Sequence, residues 1–104
     1  MLFDKKTDEM SMREFWDWFI ENEGWIIENV KTDREDVFSG VDQALAPVFY
    51  YLKKDLEYEF SYNGEKWEFF FYDLNVKELN RDALKLAQMM PEYLKNRWVF
   101  IIEH

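Results

Sequence analysis

Three glutamates, Glu57, Glu59 and Glu68, are the residues of this sequence whose types and spacing could do chemistry. They alternate with aromatic residues on either side of Asn63-Gly64, a dipeptide that predicts a β-hairpin closed by a two-residue type I′ turn. This turn places Glu59 directly opposite Glu68, with Glu57 two residues along the same face. Carboxylates at such spacing can bind a divalent cation, form an acid–base pair, or contact the Lys and Arg side chains of a partner.

A solvated face is a further interpretation of these glutamates, with Lys66 relieving part of their repulsion. We favour it because exposed charges at contact in water repel by only about 1 kcal/mol. A hard cation normally takes six or more oxygen ligands, and three strand carboxylates supply too few. An enzyme that uses Glu57, Glu59 or Glu68 with a metal or a small ligand is kept as an alternative hypothesis.

No other residue pattern points to catalysis. The sequence has no Cys, and its one histidine is the final residue, His104. Thiolate zinc sites, cysteine nucleophiles and Ser-His-Asp triads are therefore excluded. No two glycines lie close enough to form a phosphate-binding loop. We predict no catalytic residue, no metal ligand and no cofactor.

Phe70 and Tyr72 share the face of the hairpin that carries the glutamates, which we call the outer face. The last strand extends this face with one of two sets of side chains, Val99 and Ile101 or else Trp98, Phe100 and Ile102. An aromatic patch with a charged rim is typical of a protein-binding surface. The sequence leaves open whether residues 1–10 or the loop 91–96 cover it. The candidate binding residues are Glu57, Glu59, Glu68, Phe70 and Tyr72.

The charge of the chain narrows the choice of partner. The formal net charge is −9, from 13 Lys and Arg against 22 Asp and Glu. Such a charge repels nucleic-acid phosphates and anionic lipid, so neither nucleic acid nor a membrane is expected. It favours solubility, and it can also attract a basic partner. Because no apolar run approaches ~20 residues and no signal-peptide pattern is present, we expect a cytoplasmic protein.

Two helices are predicted in the first half of the chain from apolar residues at three- and four-residue steps. The segments Ser11–Glu14 and Thr32–Glu35 are capping boxes that would begin them. The first helix should run to about Asn29, after a flexible lead-in over residues 1–10. The second should run about five turns to Leu52, with Pro47 kinking it near residues 43–46. Asn22, a polar residue on the first apolar stripe, is expected to bond a neighbouring loop backbone.

The second half adds the hairpin, a helix and a strand. The turn at Asn63-Gly64 pairs Phe60 with Trp67 and Tyr58 with Phe69 on the core side. A third helix should begin near Asn75 and stop before Pro91, and a third strand should cover residues 97–102. That strand returns after a helix, so it should run parallel to the second strand, and it can lie beside the second or the first.

The fold class is therefore predicted as α+β. We expect one domain over residues 1–104, with two layers and three helices in the order α-α-β-β-α-β. The sheet would be three-stranded, mixed or antiparallel.

The segment Phe15–Glu23 reads F-W-D-W-F-I-E-N-E. It resembles the F-W-x-W-F-x-x-N-E opening of a family of small, uncharacterised bacterial proteins. In that family a second amphipathic helix leads into a β-hairpin, then a helix ending near a proline and a strand containing Trp, which are Pro91 and Trp98 here. The resemblance covers roughly residues 13–102. It implies the order of elements and a bacterial origin, without a known activity, and Gly24 stands where a helix former is expected.

A non-enzymatic protein-interaction module is the function we expect from these features. It would use the outer face or a sheet edge to bind another protein or a second copy of itself. A narrower version is an acidic immunity-like or antitoxin-like partner of a basic protein. The chain could also be one domain of a larger assembly.

Overall fold

The structure is a computed structural model that describes the backbone of residues 2–103 and the side chains of residues 9–103. Its elements are α1 (Leu2–Asn29), α2 (Arg34–Leu45), β1 (Glu57–Tyr62), β2 (Trp67–Tyr72), α3 (Lys77–Gln88), α4 (Glu92–Lys95) and β3 (Trp98–Glu103). The chain divides into two compact units, Met1–Tyr50 and Tyr51–His104. The first, which we call the helical unit, contains α1 and α2. The second, which we call the sheet unit, contains the three strands, α3 and α4.

The α+β class and the order of elements are confirmed. The sheet is three-stranded and mixed, in the order β1-β2-β3. β1 pairs with β2 in antiparallel fashion, and β3 pairs with β2 in parallel. Of the two positions expected for the last strand, the chain adopts the one beside β2. The four-residue helix α4, between Pro91 and Arg97, was not expected from the sequence.

The expected start of α1 at Ser11 is wrong, because the helix begins at Leu2 and Ser11 lies within it. A capping-box pattern caps a helix only where the preceding chain is not helical, and residues 2–10 contain no Gly or Pro to break one. The side chains of residues 1–8 lie outside the described residues, and the flexible lead-in stays a prediction. Asn22 also differs from expectation. Its Nδ2 donates to the Trp18 carbonyl of its own helix at 2.8 Å, and no loop is involved.

α2 is shorter than expected and ends at Leu45. The expected kink at Pro47 is wrong, because the helix ends before this residue. Pro47 has no N–H to donate, and the ladder of helical hydrogen bonds stops here. The Leu45 carbonyl instead accepts from the amides of Val48 and Phe49, at 2.9 and 3.1 Å, as the chain leaves the helix. The N-cap is Asp33, whose side chain makes no capping hydrogen bond.

Gly40 brings α2 close to two tryptophans of α1. A Cβ at this position would lie 3.2 Å from Cη2 of Trp25 and 3.5 Å from Cζ2 of Trp18. The first distance is tighter than an ordinary carbon–carbon contact. Glycine therefore allows the two helices of this unit to approach through indole rings.

The hairpin register is displaced by two residues from the expected one. Tyr62 pairs with Trp67, Phe60 with Phe69 and Tyr58 with Phe71, so the type I′ turn at Asn63-Gly64 is wrong. Gly64 has a φ of +94°, whereas Asn63 is not among the described residues with positive φ that a type I′ turn requires there.

The Asn63 side chain explains this displacement. Its Oδ1 accepts from the amides of Glu65 and Lys66, at 2.9 and 2.8 Å. Its own amide donates to the Lys66 carbonyl at 3.0 Å. Asn63 therefore stands at the first position of the turn, where its side chain accepts from the amides that follow, as in an Asx turn. It does not stand at one of the two central positions that a type I′ turn would give it.

The inner face of the sheet is a layer of aromatic rings. Phe60 and Phe69 have ring centroids 4.7 Å apart, and Phe69 and Phe100 have centroids 4.8 Å apart. Trp98 approaches Phe60 edge-on at 5.8 Å. Tyr58, Phe60, Phe69 and Phe71 are all buried, so the core side expected for the hairpin is confirmed. A shift of two residues preserves the face of every side chain because the strand period is two.

The two glycines of the helical unit give a matched test of α1–α2 packing. Nothing lies within 4 Å of a Cβ placed at Gly24. Gly24→Ala should raise the free energy of unfolding by about 0.5–1 kcal/mol, because alanine loses less backbone entropy inside a helix. Gly40→Ala should gain less or lose stability, since its Cβ meets the Trp25 ring. Urea unfolding of both variants checks this, and equal gains would contradict the close approach at Gly40.

Asp33 should make stability depend on pH. Partial desolvation, and then the neighbouring Asp36 carboxylate, raise the pKa of Asp33. An acid whose pKa is higher in the folded state stabilises the fold below its unfolded pKa and loses that contribution as pH rises through the folded value. Asp33→Asn should therefore be more stable than wild type near neutral pH, with the difference vanishing below about pH 3. Urea midpoints across this range test it. Glu28→Gln on α1 controls for the loss of one negative charge, and an equal gain there would contradict a specific role of Asp33.

Candidate functional site

The five candidate binding residues do share one face of the sheet, and their pairing differs from the expected one. Glu59 lies opposite Phe70 and Glu57 lies opposite Tyr72. Glu68 lies opposite Ser61, so the expected direct pair of Glu59 with Glu68 is wrong, since the turn moved the register by two. Each glutamate of β1 and β2 therefore faces an aromatic or hydroxyl side chain, and none of the three faces another carboxylate. This pairing weakens the case for an acid–base pair.

β3 completes the outer face with the first of the two expected sets of residues. Val99 lies beside Glu68, and Ile101 lies beside Phe70. Glu103 lies beside Tyr72 at the end of the strand. An apolar centre, made by Phe70, Ile101 and Val99, is thus continuous across two strands.

The charge of this face has one sign. Among the described strand residues, none of the nine outward positions is Lys or Arg, and four are glutamates. The nine are Glu57, Glu59, Ser61, Glu68, Phe70, Tyr72, Val99, Ile101 and Glu103. The Lys66 ammonium donates to the Lys95 carbonyl at 2.9 Å, and so it has a backbone partner. Glu57 and Glu103 are exposed, and Tyr72 is 38% exposed.

Two of the glutamates make local hydrogen bonds. Glu68 Oε2 accepts from Asn63 Nδ2 at 3.0 Å, which links the outer face to the turn. Glu59 Oε1 accepts from the amide of Phe60 at 3.2 Å. In an antiparallel pair, every second amide points away from the partner strand. The amide of Asn63 donates across the hairpin to Lys66. Because amide directions alternate along the strand, the amide of Phe60 points away from β2, and it donates to the Glu59 carboxylate.

The described residues do not bring together a metal site. Over residues 9–103, no three Asp, Glu or His side chains lie close enough to hold an ion. His104 lies outside the described residues. A carboxylate-based metal site on the outer face therefore has no geometric support.

Two buried carboxylates in the sheet unit were not predicted from the sequence. Asp82 on α3 is 4% exposed, and its Oδ2 accepts from the Tyr51 hydroxyl at 2.6 Å. Its Oδ1 lies 3.1 Å from Nε of Arg81. This hydrogen bond and charge raise the pKa of the Arg81 guanidinium. The Tyr51 hydroxyl also lies within hydrogen-bond distance of the Glu78 carbonyl, at 3.1 Å, so this cluster fixes the start of the unit to α3.

Asp73 is the other buried carboxylate, at the end of β2 and 5% exposed. Its Oδ1 accepts from the amide of Asn75 at 3.0 Å, and its Oδ2 accepts from Asn80 Nδ2 at 3.1 Å. Leu74 and Asn75 have φ values of 55° and 58°, which non-glycine residues rarely adopt. A cavity of about 270 Å³ lies here, lined by Asp73, Asn75, Val76, Lys77 and Asn80. An Asp directly after a strand and two residues before an Asn is the signal that could have identified this turn.

Comparison with known proteins adds no functional assignment. No protein-family model, curated protein or solved structure matches the chain. The resemblance of Phe15–Glu23 to a bacterial family therefore stays a prediction. None of the helices over residues 2–103 combines the length and the hydropathy that a membrane span requires.

Removal of the Asp73 carboxylate should destabilise the protein strongly. Asp73→Ala leaves the amide of Asn75 and Nδ2 of Asn80 without their acceptors, which should cost about 2–4 kcal/mol of unfolding free energy. Asp73→Asn keeps one carbonyl acceptor for the Asn75 amide and should cost less. Chemical denaturation with near-ultraviolet circular dichroism measures both. An Asp73→Ala variant within about 0.5 kcal/mol of wild type would show that the turn does not need the carboxylate.

Proposed function

We propose that this protein is a non-enzymatic binding module whose outer sheet face binds a basic region of another protein. One observation carries the proposal: the outward positions of the strands combine a continuous apolar centre with four glutamates and no basic residue. Aromatic and aliphatic side chains at the centre of a patch, with charges at the rim, are the usual composition of a binding surface. An acidic immunity-like or antitoxin-like protein paired with a basic protein is one form of such a module.

Self-association through the same face is disfavoured by its charge. Two copies placed face to face would bring eight glutamates together with no Lys or Arg from the strands between them. Like charges juxtaposed across an interface oppose association. A basic partner removes this repulsion and gains from steering by the net charge of −9.

The size of the face limits how such a partner binds. Three strands of six residues span about 14 Å by 20 Å, or roughly 300 Å². A standard interface uses about 800 Å² on each side. The strands alone therefore suit a short segment of a partner, or a transient complex.

Charge reversal on the face tests the electrostatic part of this proposal. Wild type, Glu57→Lys and Glu28→Lys would each be used to retain proteins from a lysate of the source organism, followed by titration with the purified partner. Glu57 and Glu28 are both exposed glutamates, and the second lies on α1. Glu57→Lys should weaken binding about fivefold or more, mainly through a slower association rate and with a smaller salt dependence. Equal affinities of the two variants would refute the proposal.

The apolar part has its own matched pair of variants. Tyr72 lies on the face and Tyr50 is 59% exposed in the other unit. Tyr72→Ala should weaken binding about tenfold by speeding dissociation, whereas Tyr50→Ala should not. Sedimentation equilibrium of the free proteins should show a monomer. If wild type is instead a dimer that Tyr72→Ala dissociates and Tyr50→Ala does not, the partner of the outer face is a second copy of this chain and the proposed basic partner is wrong.

A further inference from the structure

A small cavity lies within the helical unit, between α1 and the end of α2. It encloses about 180 Å³. Its lining includes Glu14, Phe15 and Trp18 from α1, with Gln43, Ala44 and Pro47 on the opposite side. None of these residues belongs to the sheet, so a ligand bound in this cavity would be independent of the function proposed for the outer face.

Two aromatic rings form one wall of this cavity. The rings of Phe15 and Trp18 are stacked, with centroids 6.3 Å apart and planes 29° apart. Phe15 is fully buried and Trp18 is half-buried, so the indole is the ring that a ligand can reach. Gly40 of α2 leaves room beside this ring, since a Cβ at that position would lie 3.5 Å from Cζ2 of Trp18.

The electrostatic environment of the cavity favours a cation. Glu14 is the charged residue of its lining, and it is exposed. Residues 9–29 of α1 carry six carboxylates against one cation, Arg13. A negative potential next to an aromatic face attracts positively charged groups, which interact with both the carboxylate and the ring.

The volume of the cavity decides how large the cation can be. Sites for whole small molecules enclose about 300–1,000 Å³, and 180 Å³ is below that range. One side chain fits the space. A guanidinium is flat, stacks on aromatic faces and donates hydrogen bonds in its own plane, whereas an ammonium is a strongly hydrated point charge. We propose that this cavity is a binding site for a single arginine side chain of a partner polypeptide, stacked on Trp18 and paired with Glu14.

N-acetyl-L-arginine methylamide is a suitable probe, titrated at constant ionic strength against the full chain labelled with ¹⁵N. The indole N–H signals of the five tryptophans report binding, and Trp18→Phe identifies the signal of Trp18. We expect that signal to shift most and to saturate with a dissociation constant on the order of 1–10 mM, as for one ion pair plus one stacked cation. The uncharged citrulline derivative should bind at least about tenfold more weakly.

Variants and a second probe decide the assignment. Glu14→Gln should weaken binding about three- to tenfold, and Glu21→Gln, an exposed glutamate of the same helix outside the cavity lining, should leave it unchanged. Both positions are exposed, so the fold should survive both changes. Equal binding of the citrulline derivative, or equal effects of the two variants, would overturn the proposal. Equal binding of N-acetyl-L-lysine methylamide would overturn its guanidinium specificity.

Discussion

The turn from β2 into α3 depends on Asp73, and the topology of the sheet unit depends on that turn. The Asp73 amide donates to the Glu103 carbonyl at 3.0 Å, which joins the end of β2 to the end of β3. Its carbonyl accepts from the amide of Val76, and its carboxylate accepts from Asn75 and Asn80. One residue thus satisfies the backbone amides of Asn75 and Val76, the two residues that lead into α3. Without it, two successive left-handed residues would have little to compensate their backbone strain.

The parallel position of β3 beside β2 determines what the outer face contains. Because β3 lies beside β2 in the observed register, Val99 and Ile101 join Phe70, and the larger rings of Trp98 and Phe100 join the inner layer. The glutamates are left around the apolar centre. The composition of the outer face is therefore a consequence of strand order as well as of the hairpin sequence.

The sequence predicts those features that depend on periodicity and misses those that depend on individual hydrogen bonds. The inner and outer faces were correct, since alternation survives a register shift of two residues. The pairing of Glu59 with Glu68 was wrong, because Asn63 could close the turn from its first position as well as occupy its centre. Likewise Pro47 was compatible with either a kink or a stop, and only the backbone geometry after Leu45 distinguishes them. The burial of Asp82 depends on Tyr51, a partner distant in the sequence that no local pattern contains. The partners of Asp73 are nearby in the sequence, but the spacing of Asp73 and Asn75 was not used as a turn signal.

Charge alone does not give this chain a specific partner. A net charge of −9 accelerates the approach of any basic protein, and this attraction weakens with salt over about 8–10 Å. Specificity requires groups that act at contact, where a complex gains by slow dissociation. Tyr72 beside Glu57 on the sheet, and Trp18 beside Glu14 in the helical unit, each combine an accessible ring with a carboxylate. A ring with an adjacent carboxylate favours a cation that loses its hydration water at low cost. Arginine meets that requirement better than lysine, because a guanidinium is more weakly hydrated than an ammonium. Under the two proposals above, both surfaces select basic sequences by the same chemistry, and each does so independently.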